Sequence, residues 1–319
     1  MSKKKFINSV TIQGYLYDHD LKAKESGPNS KNPGTPFING NIKIATDEDL
    51  TNIIEIHYSY VTPTFGTGPN AKENPNYAIL LNIANGNVAT VMSSDKESAM
   101  KLQATPSIDL NDFPNKEKEI VSYKRLEGGF IRKLTVLDKP ENERAVFEAD
   151  VLINGCKRME ADEEKELPEK LILKLACFNY KKELLPMDMT VLIPGAMDYF
   201  ESLEPSQKNP ILTKIRGKIV SQTVIKKTEE ESAWGEIIVR TSKSSHRDYV
   251  VDWAQREPYE FDNEETLLAS ELQEMIQNRE LHKADVRKRD EEYRSKQGGA
   301  NFSATSAATS SVTKGGYDF

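Results

Sequence analysis

The sequence predicts a mainly β protein built from small β-barrels, with short helices, a C-terminal helix and a disordered tail. Segments that alternate apolar and polar residues, as half-buried strands do, recur up to about Pro258 of the 319-residue chain. Loops rich in Gly, Pro, Asn and Ser separate these segments. At 36.0 kDa the chain is long enough for two domains that each bury a core.

Four regions follow from these patterns. Residues 1–121 contain strands, a short helix-like segment and further strands, which is the size and order of an OB-type barrel. Residues 122–258 repeat this order. A β-sandwich would produce the same alternation, so the period leaves both architectures open. Residues 259–296 predict a charged C-terminal helix, whose apolar stripe we expect to dock on the barrels or on a second copy of the chain. Residues 297–319 are mostly Gly, Ala, Ser and Thr and predict a flexible tail.

The overall charge excludes a generally basic nucleic-acid binder, because the net charge is −7 and the pI is near 5.4. A local basic face remains open, since many carboxylates are concentrated in residues 159–169, 229–231 and 257–265. No apolar run approaches the roughly 20 residues that span a bilayer, and the N-terminus lacks the features of a secretory signal. We therefore expect a cytoplasmic protein without a membrane partner.

Catalytic and metal-binding motifs are absent from the sequence. It has no phosphate-binding G-x-x-x-x-G-K-[ST] loop and no G-x-S-x-G elbow, and its four histidines are scattered. Cys156 and Cys177 are too few for a disulfide framework or a zinc site, and we interpret both as reduced core residues. These absences predict a protein that is not an enzyme and that needs no cofactor or metal.

The stretch Lys170–Lys182 combines a core face with a face suited to nucleic acid. In an extended strand its odd positions from Leu171 to Cys177 form an apolar row. The even positions from Ile172 to Lys182 mix rings with ammonium groups, which is the chemistry that stacks on bases and holds phosphates. The alternative is a half-buried strand that carries such residues because they suit a pleated surface.

A second cluster of rings and cations lies in Ser122–Leu134, around the pair Gly128–Gly129. Glycines allow close approach of a ligand, rings can stack and cations can neutralise phosphates. The alternative is a hairpin turn whose flanking charges are solvated. Alternation predicts three further groups. Tyr15 and Tyr17 point outward, Tyr58 and Tyr60 share one face, and Lys214, Arg216 and Lys218 form a basic stripe on one face of a long strand. The candidate nucleic-acid-binding residues are Tyr15, Tyr17, Tyr58, Tyr60, Tyr123, Lys124, Arg125, Phe130, Arg132, Lys133, Lys174, Phe178, Tyr180, Lys182, Lys214, Arg216 and Lys218.

The strand-rich halves, the segment 111–134 and the tail ending in Asp318-Phe319 resemble phage single-stranded DNA-binding proteins. The resemblance implies OB-fold surfaces that coat single-stranded DNA without strong sequence preference during phage DNA replication or recombination. It also implies that the tip Tyr317, Asp318 and Phe319 recruits replication or recombination proteins. One departure concerns this tip, which is strongly acidic in the family, whereas Asp318 is the only carboxylate side chain after Glu292.

Two alternatives to this function remain open. The chain could be a phage virion or assembly protein that uses its β-domains and helix for protein contacts, including self-association. It could also bind RNA, since that preference depends on contacts to the 2′-hydroxyl.

Overall fold

A computed structural model describes residues 4–66, 68–161, 168–231 and 237–297, with the backbone alone at residues 69, 222–231, 237–246, 296 and 297. The strands are β1 Asn8–His19, β2 Lys22–Glu25, β3 Pro36–Ala45, β4 Ile53–Val61, β5 Thr64–Phe65, β6 Lys72–Glu73, β7 Lys101–Pro114, β8 Ile120–Leu134, β9 Ala145–Met159, β10 Lys170–Phe178, β11 Leu184–Val191, β12 Ile211–Glu231 and β13 Ile237–Ala254. The helices are α1 Pro75–Ala84, α2 Pro194–Ser202 and α3 Ala269–Gln297, with short 3-10 helices at Gly68–Asn70 and Glu141–Glu143. The predicted mainly β fold with a C-terminal helix is confirmed.

The first barrel is a closed ring of β1, β3, β4, β8 and β7. All its pairings are antiparallel except β4 with β8, which is parallel. In chain order, helix α1 lies between the third and fourth strands of the barrel, β4 and β7. This is the connectivity of an OB barrel, and ring closure excludes the two-sheet sandwich. Ile12, Ile42 and Ile56 fill the interior and are fully buried.

The second barrel repeats the plan with β9, β10, β11, β13 and β12, again with one parallel pair, β11 with β13. Helix α2 lies between its third and fourth strands. The barrels are joined where β1 pairs antiparallel with β9, from Asn8 opposite Ala149 to Ile12 opposite Ala145. Because β1 and β9 are both the first strand of a barrel, this pairing relates the two barrels by an approximate two-fold rotation.

Strand β8 is the fifth strand of the first barrel, since it pairs with β7 and with β4. The segment 122–134 therefore lies in the first barrel and not in the second, where the boundary after residue 121 had placed it. Alternation identified the strand, but it carries no information about which neighbours a strand pairs with.

The pair Gly128–Gly129 is a bulge inside β8 and not a hairpin turn. Thr105 and Ser107 of β7 pair with Phe130 and Glu127, so two glycines oppose one residue. Both glycines have positive φ angles, 58° and 83°. The Asn76 side chain at the start of α1 fixes the bulge, because its Nδ2 donates to the Gly129 carbonyl at 2.9 Å and its Oδ1 accepts from the Ile131 amide at 3.1 Å.

Helix α3 and the segment before it pack on the outside of the second barrel. Leu267, Leu272 and Met275 are buried in a second apolar cluster, together with Ala176 and Phe178 from the outer face of β10. The expected docking of the helix stripe on a barrel is thus observed, although the helix begins only at Ala269. No helix in the described part of the chain is both long and apolar enough to cross a membrane.

A clasp formed by Arg279, Asp112, Glu183 and His282 holds α3 to both barrels. Arg279 donates to the two carboxylate oxygens of Asp112 on β7, each at 2.6 Å, and to the Ser122 hydroxyl at 3.2 Å. His282 lies 3.3 Å from Asp112 and 3.3 Å from Glu183, which precedes β11. The side chains of Arg279 and Asp112 are almost fully buried. The clasp therefore fixes the hairpin of β7 and β8 against the second barrel.

The bulge predicts a strong effect of Gly129→Ala. A Cβ atom at this position would lie 2.0 Å from the Thr105 carbonyl oxygen, and φ is +83°. We expect the free energy of unfolding in urea to fall by at least about 2 kcal/mol, from strain and overpacking. Gly195→Ala in α2 is the matched control, since a Cβ there meets no atom within 4 Å. It should be neutral or stabilising, and equal effects of the two variants would contradict the interpretation.

The clasp predicts a specific pH dependence of stability. Burial alone would raise the pKa of Asp112, but the hydrogen bonds from Arg279 and Ser122 and the charge of Arg279 outweigh it, so the pKa lies below its usual value. Such a carboxyl stabilises the fold fully above its unfolded pKa of about 3.9, and this stability is lost as the pH falls through the folded pKa.

Urea unfolding of the parent should therefore show declining stability below about pH 4, and Asp112→Asn should show a weaker decline over the same range. Arg279→Met should cost about 3–5 kcal/mol near neutral pH, because it removes the guanidinium that compensates the charge of a buried carboxylate. The double variant Asp112→Leu/Arg279→Met should recover most of this loss. Identical pH profiles for the parent and Asp112→Asn would show that the clasp does not control stability.

Candidate nucleic-acid interface

Strand β10 has an inner face in the barrel core and an outer face that is divided in two. Leu171, Leu173 and Cys177 are fully buried inside the barrel, as the alternation predicts. On the outer face Lys174 is exposed and Ile172 is half-buried. The other half of this face is covered by α3 and by the N-terminal segment. The predicted row of rings and cations is therefore open only at the end of β10 that contains Lys170.

Phe178 is not available to a base, contrary to the sequence-based expectation. Its ring is 3% exposed and stacks on Phe6 with centroids 4.0 Å apart. Phe6 belongs to the N-terminal segment, which Asp150 anchors. The Asp150 carboxylate accepts from the Ile7 amide at 2.7 Å and lies 3.3 Å from the Lys4 ammonium. The sequence did not reveal this cover because its residues are distant along the chain.

Tyr180 and Lys182 lie in a turn and not on a continued strand. The Asn179 side chain accepts from the backbone amides of Lys181 and Glu183, and Lys182 has a φ of +57°. Tyr180 is 83% exposed. Both residues line a groove of about 470 Å³ between the N-terminal segment and α3, which also contains the carboxylates of Glu271 and Glu274. These carboxylates offset the nearby lysines, so this groove is a weaker candidate for binding phosphates.

Two of the four candidate tyrosines on β1 and β4 are buried. Tyr58 is 1% exposed inside the first barrel. Tyr15 is covered on the outer face of β1 by the loop after β3, where its hydroxyl donates to Glu48 at 3.1 Å. Burial raises the pKa of both phenols. Neither ring is open to a base in this structure, which corrects the expectation that Tyr15 points to solvent. Alternation separates two faces but does not show that a loop covers one of them.

The remaining tyrosines on these strands are more accessible. Tyr17 is half-buried at the end of β1. Tyr60 is 49% exposed and lies against Phe37, with ring centroids 4.6 Å apart. Its hydroxyl forms a hydrogen bond of 2.9 Å with Ser26.

The hairpin of β7 and β8 directs its side chains alternately toward the second barrel and toward solvent. Lys124 points inward, donates to the Asp188 carbonyl oxygen at 2.8 Å and lies 5.3 Å above the Tyr249 ring. Burial lowers the pKa of this ammonium, while the charges of Asp248 and Asp188 act in the opposite direction. Tyr123 points outward and is 57% exposed. Arg125, also outward, forms an ion pair of 3.1 Å with Glu127.

The residues after the bulge lie apart from this region. Phe130 is 64% exposed, and Lys133 is also exposed. Arg132 donates to the Gln103 side-chain oxygen at 2.8 Å. These three candidates belong to the part of β8 that pairs with the start of β7.

The basic stripe of Lys214, Arg216 and Lys218 on β12 lies on one outward face, and two of its three cations share one carboxylate. Lys214, Arg216 and Lys218 alternate with buried residues, as predicted. Glu148 on β9 pairs with Lys214 at 3.1 Å and with Arg216 at 2.9 Å. The Arg216 guanidinium also lies 4.8 Å above the Trp253 ring. A shared carboxylate lowers the value of this stripe for binding phosphates.

A groove of about 350 Å³ with a cationic lining lies on the open half of the outer face of β10 and β11. We call it the cationic groove. Its charged residues come from β8, β9, β10, β11 and β13, and Met159, Ile172 and Thr190 complete its lining. The charged residues are Lys124, Lys157, Lys170, Lys174, Arg247, Asp188 and Asp248. Five cations thus face two carboxylates.

One of the two carboxylates of the groove, that of Asp248, has structural partners. Asp248 accepts from the Thr190 hydroxyl at 2.8 Å and from the Tyr249 amide at 2.8 Å. Lys124 and Lys174 are among the residues that the sequence predicts, whereas Lys157, Lys170 and Arg247 are not. Lys157 lies opposite Ile172 on β9, and only the strand pairing brings it to the groove. Among the described residues no group of three or more His, Cys, Asp or Glu side chains is arranged to hold a metal ion.

Comparisons with known proteins show a family and a likeness to solved structures. A family model described as YorF matches residues 7–287. No curated protein matches the chain. A solved structure of a deletion and point mutant of the single-stranded DNA binding protein from Thermus aquaticus is similar over 80% of this chain and 97% of its own, with 9% identity and a TM-score of 0.43. The OB assignment rests on the strand connectivity given above.

Proposed function

The chain belongs to the YorF family, and we propose that it binds single-stranded DNA without strong sequence preference through the cationic groove. The observation that carries this proposal is the concentration of five cations in one groove of a chain whose net charge is −7. Other carboxylates lie away from the groove: Asp112 is bound to Arg279, and Asp150 to the N-terminal segment. Charge is thus segregated, and the groove can attract a polyanion despite the acidic pI.

The position of the groove supports the same proposal. Strands β10 and β11 are the second and third strands of the barrel, and OB barrels bind oligonucleotides on the face of these strands. A positively charged groove that follows one phosphate backbone suits binding of single strands without sequence readout. The exposed lysines of the groove are long and flexible, and an ammonium is a point charge that accepts phosphates in many orientations.

The wider role belongs to the same proposal. Binding without catalysis and without a cofactor would serve to coat single-stranded DNA during phage replication or recombination. The tip Tyr317, Asp318 and Phe319, outside the described residues, would recruit partner proteins.

The first test is a fluorescence-anisotropy titration of labelled oligo-dT at low and moderate salt, with duplex DNA and the matching RNA as competitors. We expect binding that weakens as salt rises, because bound phosphates release counterions. Duplex DNA should compete poorly. Equal competition by RNA would extend the ligand to RNA. Absence of binding at low salt would contradict the proposal and favour an assembly role based on protein contacts.

A second test concerns Lys174, the exposed cation on the open half of β10. Lys174→Ala should weaken oligo-dT binding and reduce the slope of log K against log salt by about 0.7, the value for one phosphate contact on a single strand. Lys288→Ala on α3 is the matched control, since this lysine is exposed and is not among the residues that line the groove. Equal affinities and slopes for the two variants would refute the assignment of the groove.

A further inference from the structure

The solvent side of the β7–β8 hairpin carries two exposed rings that the cationic groove does not use. Phe113 and Tyr123 lie 5.2 Å apart between ring centroids and are parallel to within 5°. They are 40% and 57% exposed. We call this pair the ring platform. An exposed pair of parallel rings on a two-stranded ribbon buries little apolar area, so its contribution to folding is small.

The ribbon that carries the ring platform is held rigidly from behind. Asp112 and Ser122, the neighbours of the two rings in sequence, point to the other side and contact Arg279. Lys124, the next residue along β8, reaches into the cationic groove and donates to the Asp188 carbonyl oxygen. The ring of Tyr123 and the ammonium of Lys124 are thus adjacent in the chain and lie on opposite sides of one fixed strand.

We propose that the ring platform is a base-stacking site that continues the cationic groove, so that a single strand leaving the groove passes over the hairpin and places a base on Tyr123. The proposal rests on the proposed function, because the groove supplies the phosphate contacts that deliver the strand. Aromatic side chains on which bases stack are the usual complement of a cationic groove. The groove itself is lined by aliphatic and charged side chains and offers no exposed ring among its described residues.

The geometry of the pair distinguishes the roles of the two rings. Aromatic rings in direct contact have centroids about 4.5–7 Å apart, so a base inserted between two rings would need roughly twice that separation. The centroids are only 5.2 Å apart, so the base stacks on the outer side of the pair. Tyr123 is the more exposed ring and provides the contact face, while Phe113 supports it. The hydroxyl of Tyr123 is not required, because stacking uses the ring face.

The test compares two ligands, labelled oligo-dT and an abasic strand of the same length that keeps the phosphates and lacks the bases. Tyr123→Ala should weaken oligo-dT binding roughly 5- to 150-fold, with an unchanged salt slope, and should leave binding of the abasic strand unaltered. Tyr123→Phe should bind both ligands like the parent. Phe113→Ala should have a smaller effect on oligo-dT than Tyr123→Ala.

Phe65→Ala is the control variant, since Phe65 is 47% exposed on β5 and lies outside both the groove and the ring platform. Urea unfolding of each variant checks that the fold is intact. If Tyr123→Ala weakens both ligands equally, or neither, while Lys174→Ala weakens both, the ring platform is overturned and the groove assignment stands. If the parent binds neither ligand at low salt, the proposed function is overturned, and the ring platform with it.

Discussion

The antiparallel pairing of β1 with β9 is the constraint on which the rest of the molecule depends. It aligns the first strands of both barrels, from Asn8 to Ile12 on one side and from Ala145 to Ala149 on the other. Because of the resulting two-fold relation, the β7–β8 hairpin of the first barrel and the β12–β13 hairpin of the second each lie against the other barrel. On one side Lys124 reaches Asp188. On the other side Asn52, just before β4, donates to the Ile219 carbonyl at 3.2 Å and accepts from the Ser221 amide at 2.6 Å.

A few backbone hydrogen bonds, each worth about 0.5–1.5 kcal/mol net, would leave this arrangement weakly defined. The Arg279–Asp112 pair adds orientation more than stability, because the cost of desolvating two charges offsets most of their attraction. A displaced helix would leave two buried charges without partners. The ion pair therefore selects one position of α3, and this position decides which half of the outer face of β10 remains open to solvent.

The sequence was sufficient for the local properties of the fold and insufficient for its long-range ones. Alternation identified the strands, the inner row of β10 and the outward stripe of Lys214, Arg216 and Lys218. It failed where distant segments cover a face, as at Tyr15 and Phe178, and where a carboxylate pairs with predicted cations, as Glu148 does with Lys214 and Arg216. Lys157 and Arg247 of the cationic groove depend on strand order, which a period of two residues does not contain.

Lys124 belongs to the first barrel but lines a groove of the second barrel, and this has a thermodynamic consequence. The cationic groove is complete only when the hairpin of the first barrel lies against the second barrel. Consider a ligand whose affinity for the complete groove exceeds its affinity for the second barrel alone. By linkage, this ligand shifts the docking equilibrium of the two barrels toward the docked state by the ratio of the two affinities. For such a ligand, binding and the docking of the two barrels would be one equilibrium, and a solution condition that separates the barrels would also lower the affinity.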